Sequence, residues 1–287
     1  MGIVGSLLDL IILAAAGRWL LPHVVRFLQG HGQVESNYTG HTVPRGLGVF
    51  LWLLLWLHQL TIQLTSFAAG RELEANRHVF AFAATLVFLL GWTDDLIGHK
   101  EVKGLRGHFR YWKESKTVSM GAVKALGIAS AAAWLVISVH NKQTPHLWVG
   151  GQIVMVMLMT NALNLLDVRP GRSLKVFFAG IAAVGLLGFA IARHLPVDGL
   201  QPLGPILLGA AFLYGTDVRG RGMLGDAGAN LLGFTLGYAV LMCLPWGLQL
   251  FITAVLGYVH RQAEVSSLTL LIERNRFLHW LDRLGRT

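Results

Sequence analysis

The sequence predicts an all-α, polytopic membrane protein: one bundle of about nine transmembrane helices over residues 1–287, with the N-terminus outside and the C-terminus cytoplasmic. Three observations predict it. Apolar residues make up 54% of the chain and charged residues only 14%, with a mean hydropathy of +0.55, a balance that a soluble domain of this size would struggle to keep in solution. The apolar residues gather in runs of roughly 16 to 22, the length of helix that crosses a hydrocarbon core, and lack the alternation of barrel strands. Lys and Arg concentrate on alternate connections between those runs, the pattern that orients a membrane protein with its basic loops inside.

The runs cover about 3–22, 46–66, 78–93, 119–139, 147–165, 174–192, 200–215, 227–244 and 247–260. With the first residue outside, eighteen Lys and Arg fall on the inner face: Arg26, Arg45, six between Lys100 and Lys116, Arg169, Arg172, Lys175, Arg219, Arg221, and five from Arg261 to Arg286. Four fall outside, at Arg71, Arg77, Lys142 and Arg193. The net charge of +9 is therefore that of a basic inner face beside anionic headgroups and requires no nucleic acid. Cys243 is alone in an apolar run, which excludes a disulfide or a zinc cluster and leaves core packing.

Along the chain, the first span is too long and lacks the basic start of a cleaved signal peptide. It carries an acid, Asp9, expected either to be capped by a neighbouring helix or to lie near the outer surface. The third span ends in Asp94-Asp95. Adjacent carboxylates repel, and a divalent cation or a shared proton relieves the repulsion; read alone, the pair also fits a solvated helix end. Lys124 stands just inside the fourth span, where a lysine can snorkel to the surface as an anchor or reach a ligand.

The fifth span ends in Asn161, Asn164 and Asp167, whose spacing puts them within about 120° on one helical face. That stripe points into a bundle, toward a cavity or a neighbouring helix held by the asparagines. Val168-Arg169-Pro170-Gly171-Arg172 follows, a turn whose two guanidiniums suit phosphate or act as topology determinants. The eighth span opens with Gly225-Asp226-Ala227-Gly228, a cytoplasmic helix N-terminus where Asp226 either caps the helix or holds a metal against phosphate oxygens. Asp217 is an auxiliary acid or a loop residue. From Glu273 to Arg286 an amphipathic helix is expected on the inner surface, with Phe277, Leu278, Leu281 and Leu284 toward lipid or the bundle.

Taken in order, Thr42-Val-Pro-Arg-Gly-Leu-Gly48, Asp94-Asp95, Asn161-x-x-Asn164-x-x-Asp167 and Gly225-Asp226-Ala-Gly228 resemble the motifs of the polyprenyl-phosphate N-acetylhexosamine-1-phosphate transferase superfamily. The resemblance implies a phosphotransferase that moves a sugar 1-phosphate from a nucleotide-activated sugar to a polyprenyl phosphate, at the cytoplasmic face of a bacterial inner membrane, in envelope glycan precursor synthesis. By the same resemblance Asp226 is the principal ligand of Mg²⁺, or of Mn²⁺ in its place, while Asp94 and Asp95 share the metal or orient the lipid phosphate. Asn161, Asn164 and Asp167 would line the nucleotide-sugar pocket. Lys124, Arg169, Arg172, Arg276 and His279 are its candidates for diphosphate and lipid-phosphate contacts.

The chain also departs from that family. Where members usually continue past the helix-five acid as Gly-x-Asp-Gly, these positions read Val168-Arg169-Pro170-Gly171; the last inner loop is thinned to Arg274, Arg276 and His279, and the usual tenth helix is absent. These departures support an alternative, a polyprenyl-phosphate-binding scaffold or regulatory protein without turnover. A transporter is disfavoured because neither paired broken helices nor an inverted repeat is visible. Whether the chain acts alone or as a homodimer stays open.

Overall fold

A computed structural model describes residues 3–70, 78–97, 119–140 and 145–286. The basic stretch from Lys100 to Lys116 and the expected outer residues Arg71, Arg77 and Lys142 lie outside the described residues. Long helices dominate: α1 Ile3–Gly30, α2 Gly48–Ala68, α3 Val79–Ile97, α4 Met120–Val139, α5 Val149–Leu166, α6 Arg172–Ala192, a short α7 Val197–Leu200, α8 Leu203–Val218, α9 Gly225–Cys243 and α10 Trp246–Val265. Two short helices close the chain, α11 Leu268–Arg274 and α12 Arg276–Arg283.

Seven segments are long and apolar enough to cross a membrane: Leu7–Gly30, Gly48–Ala68, Val79–Ile97, Met120–Val139, His146–Leu166, Arg172–Ala192 and Gly225–Cys243. Two of the nine expected spans fall short of that measure for different reasons. α8 is apolar but has only 16 residues. α10 has 20 residues but ends in His260-Arg261-Gln262-Ala-Glu264, which dilutes its apolar run.

Among the described residues the helical bundle carries one departure from an all-α chain. β1 (Val34–Ser36) and β2 (Thr42–Pro44) pair antiparallel, and the chain then runs beside the start of α9, with Met223 N donating to Pro44 O (2.8 Å) and Gly48 N to Leu224 O (3.1 Å). The hairpin thus ties the beginnings of α2 and α9 together at one end of the bundle.

α9 is the axis of the fold. Every residue from Ala227 to Val240 is buried, and α2, α3, α5 and α6 pack around it. Glycines permit this approach: a Cβ on Gly48 would collide with the backbone of Gly228, and one on Gly91 would come within 2.6 Å of Ala227 Cα. Without hydrophobic drive between helices in lipid, such close backbone contact is the main source of association. It also sets the end of α3 directly over the first turn of α9.

Asp9 has the neighbouring-helix partner expected for it. His58 Nδ1 lies 2.8 Å from Asp9 Oδ2, Thr61 donates to Oδ1, and the acid is buried between α1 and α2.

Candidate functional site

α9 begins without a side-chain cap of its own; its first residue, Gly225, is in the left-handed region with φ 71°. The unpaired N–H groups of a helix start require an acceptor, and the partial positive charge there favours an anion. α3 supplies it. Asp95 Oδ1 accepts from Asp226 N (2.9 Å) and Oδ2 from Ala227 N (3.0 Å). Arg45, placed by the hairpin, adds an ion pair of 2.8 Å and reaches Glu35 at 3.0 Å with its other nitrogen. With its side chain only 2% exposed and both oxygens engaged, Asp95 joins three elements.

The two neighbouring acids are differently placed. Asp94 and Asp226 share one cation: Lys124 from α4 sits between them, 3.0 Å from Asp94 Oδ2 and in closer contact with Asp226 Oδ2. Asn164 Nδ2 donates to the same Asp226 oxygen at 3.3 Å. Side-chain exposures of 25% for Asp94 and 27% for Asp226 leave both carboxylates accessible from the surface. Four elements widely separated in sequence therefore meet at one helix start, with the mutual repulsion of two carboxylates offset by an ammonium.

A second part of the site lies alongside. Asp167, which follows α5, and Asp217, in the last turn of α8, line a pocket with Arg169, Pro170, Asn37 and Gly220. Asp217 is buried and accepts from Gly171 N at 2.7 Å, so it braces the turn that starts α6. Burial, followed by the negative charges of Asp217 and Asp226, pushes the Asp167 carboxyl well above the usual carboxylate range. Asn37 Nδ2 donates to Gly220 O (2.8 Å), which closes the pocket from the hairpin side.

Of the residues expected in the site, Asp94, Asp95, Asp226, Lys124 and Asn164 converge, and Asp167 and Arg169 border the adjoining pocket. Asn161 is exposed and has no hydrogen-bonding side-chain partner among the described residues, so the asparagine stripe reaches the carboxylates only through Asn164. Arg172 is engaged elsewhere. Only 4% exposed, it spends its guanidinium on Asp282 (2.8 and 2.9 Å) and on Thr269 Oγ1 (3.1 Å). Arg276 is exposed and His279 half-buried on α12, and no hydrogen bond joins either side chain to the carboxylate cluster among the described residues.

Arg45, Asp217 and Asp282 hold this region together; Asp217 was expected only as an auxiliary acid or a loop residue, and Arg45 and Asp282 were assigned no site role. For Arg45 a signal exists, since it is the cation of the Thr42–Gly48 stretch. Asp282 could be found only as the acid lying off the apolar face of the last helix.

Asp94, Asp226 and the Asn164 amide offer oxygen donors of the kind a hard divalent cation takes. The accessible carboxylates fit such an ion in place of, or beside, the Lys124 ammonium; Asp95 is 2% exposed and holds α3 on α9. Among the described residues no group of three or more His, Cys, Asp or Glu side chains is arranged to hold a metal. Comparison with known proteins finds no family model and no curated protein that matches this chain.

Proposed function

We propose that this protein is a polyprenyl-phosphate glycosyl-1-phosphate transferase, moving a sugar 1-phosphate from a nucleotide-activated sugar to a polyprenyl phosphate at the cytoplasmic face of a bacterial inner membrane. The observation that carries the reading is the convergence of Asp94, Lys124, Asn164 and Asp226 at the start of α9, at a bundle end accessible from the surface. In this reading the chain crosses nine times, α8 and α10 included, with the N-terminus outside.

In the reaction an oxygen of the lipid phosphate bonds to the β-phosphorus of the donor, the bond from that phosphorus to the bridging oxygen breaks, and a nucleoside monophosphate leaves. The protein is asked mainly to position the reactants and neutralise their charge. Lys124 is placed to do both, because it can exchange a carboxylate for a phosphate oxygen without leaving the site. Asn164 fixes the orientation of Asp226, Asp95 holds α3 on α9, and Asp167 with Arg169 lines the pocket for the nucleotide-sugar. Mg²⁺, or Mn²⁺ in its place, would be held by Asp226 and Asp94 and supply positive charge against the phosphate oxygens.

The test is incubation of the purified protein with undecaprenyl phosphate, Mg²⁺ and a panel of UDP- and CDP-activated sugars. A lipid-linked sugar diphosphate is the expected product. Lys124 already offsets part of the negative charge of Asp94 and Asp226, which favours a second reading, a polyprenyl-phosphate-binding scaffold without turnover. Saturable lipid-phosphate binding with no product from any donor would replace the first reading by the second.

A further inference from the structure

The last helix, α12, has two unlike faces. Its polar face is bonded to the bundle. Asp282, 9% exposed, takes paired hydrogen bonds from Arg172 and from Arg286, and Lys175 donates to the main-chain oxygens of Leu281 (3.1 Å) and Asp282 (2.7 Å). Arg286 Nε also donates to Pro170 O at 2.8 Å, which attaches the tail directly to the turn bordering the pocket. Asn275 caps the helix through Phe277 N and Leu278 N, both at 3.0 Å.

With that face fixed, the opposite one cannot turn inward. At about 100° per residue, Phe277, Trp280, Leu281 and Leu284 fall in a single arc of about 100°. All four are exposed, Phe277 by 64% and Trp280 by 58%. Arg276 and Arg283, also exposed, flank the arc on one edge. Leu270 of α11 and Val265 and Tyr258 of α10 are likewise exposed. An apolar face with an aromatic pair, edged by arginines, matches the surface of a helix lying at a lipid boundary.

We propose that α12 lies in the plane of the membrane, its Phe277–Trp280–Leu281–Leu284 face sunk into the headgroup–acyl boundary and its arginines against anionic headgroups, and that Asp282 and Arg172 pass this anchorage to the Arg169–Arg172 turn. The lipid, rather than another protein, is the occupant because the exposed apolar arc and its arginine edge match a membrane surface. The inference does not depend on the transfer reaction.

Site-directed spin labelling tests it, in a Cys243→Ser background and in nanodiscs of phosphatidylcholine with a minority of phosphatidylglycerol. Nitroxides on Phe277→Cys and Leu284→Cys should be relaxed more by oxygen than by a nickel chelate, and one on Arg283→Cys the reverse. Labels at 277 and 284 relaxed mainly by the nickel chelate would put the helix in water, and labels shielded from both would put a protein, such as a second copy, on this face; either result overturns the proposal. For the relay, Asp282→Asn should increase the mobility of a label on Arg169→Cys. Arg286→Gln, which leaves Arg172 in place, should do so in smaller measure and keeps the relay testable if Asp282→Asn does not fold. An unchanged spectrum at 169 in the folded variants would refute it.

Discussion

Lys124 places an ammonium between two carboxylates that would otherwise repel, and its removal should show on stability as well as on chemistry. Breaking a largely buried charge cluster by removing one partner costs about 3–5 kcal/mol. Lys124→Met should therefore lower the thermal midpoint in detergent, and added Mg²⁺ should raise it more in the variant than in the wild type. An equal Mg²⁺ response in both would separate the carboxylates from any cation site. Asp226→Asn should reduce turnover by about 10²-fold or more, the equivalent of several kcal/mol of lost phosphate stabilisation, with little change in melting; full activity in that variant would remove Asp226 from the chemistry. Asp167 acts in the opposite sense. Its carboxyl is pushed up by burial and by Asp217, so ionising it opposes folding as the pH rises, and Asp167→Asn should melt later than the wild type at neutral pH. Acids in an apolar chain stand out in the sequence, which is why Asp94 and Asp226 were legible. Arg172 was not, because the carboxylate that claims it lies 110 residues further on, and no spacing rule connects them.

At the scale of elements, the register of α3 on α9 decides whether Asp95 reaches the two N–H groups that it caps. Gly91 sets that register. Gly91→Ala should push the helices apart, cost about 1–3 kcal/mol as overpacking does, and reduce activity without touching a charged residue; an unaltered melting profile would show that the contact has slack. The tail gives the pH prediction at this scale. Burial raises the Asp282 carboxyl, but the hydrogen bonds from Arg172 and Arg286 outweigh it and hold the group down at about 2. The clamp should therefore be fully formed above the ordinary carboxylate range and open as the pH falls toward 2, read as increased proteolysis after Arg283 by an acid-stable protease. The long helices were readable because length and apolarity are local properties. The hairpin was not, since strands of three residues carry no period, and the division of the tail into α11 and α12 turns on Asn275 capping the second helix, a detail of side-chain geometry.

For the whole molecule, the proposed orientation, with the basic loops inside, predicts that a reporter fused after Arg286 is active only on the cytoplasmic side; activity on the other side would invert the bundle and place the carboxylate site outside. That the site lies at a single end was legible from the alternation of the spans, whereas the central place of α9 was not, because burial on all sides leaves no face pattern to read. The Asp9–His58–Thr61 contact carries a consequence for biogenesis. An acid at the centre of a lone membrane helix costs about 2.5–3.5 kcal/mol, less toward the ends, and the histidine that satisfies Asp9 comes 49 residues later. During synthesis α1 is therefore expected to partition into lipid less readily alone than after α2 has emerged beside it, so that the two helices leave the translocon more efficiently as a pair.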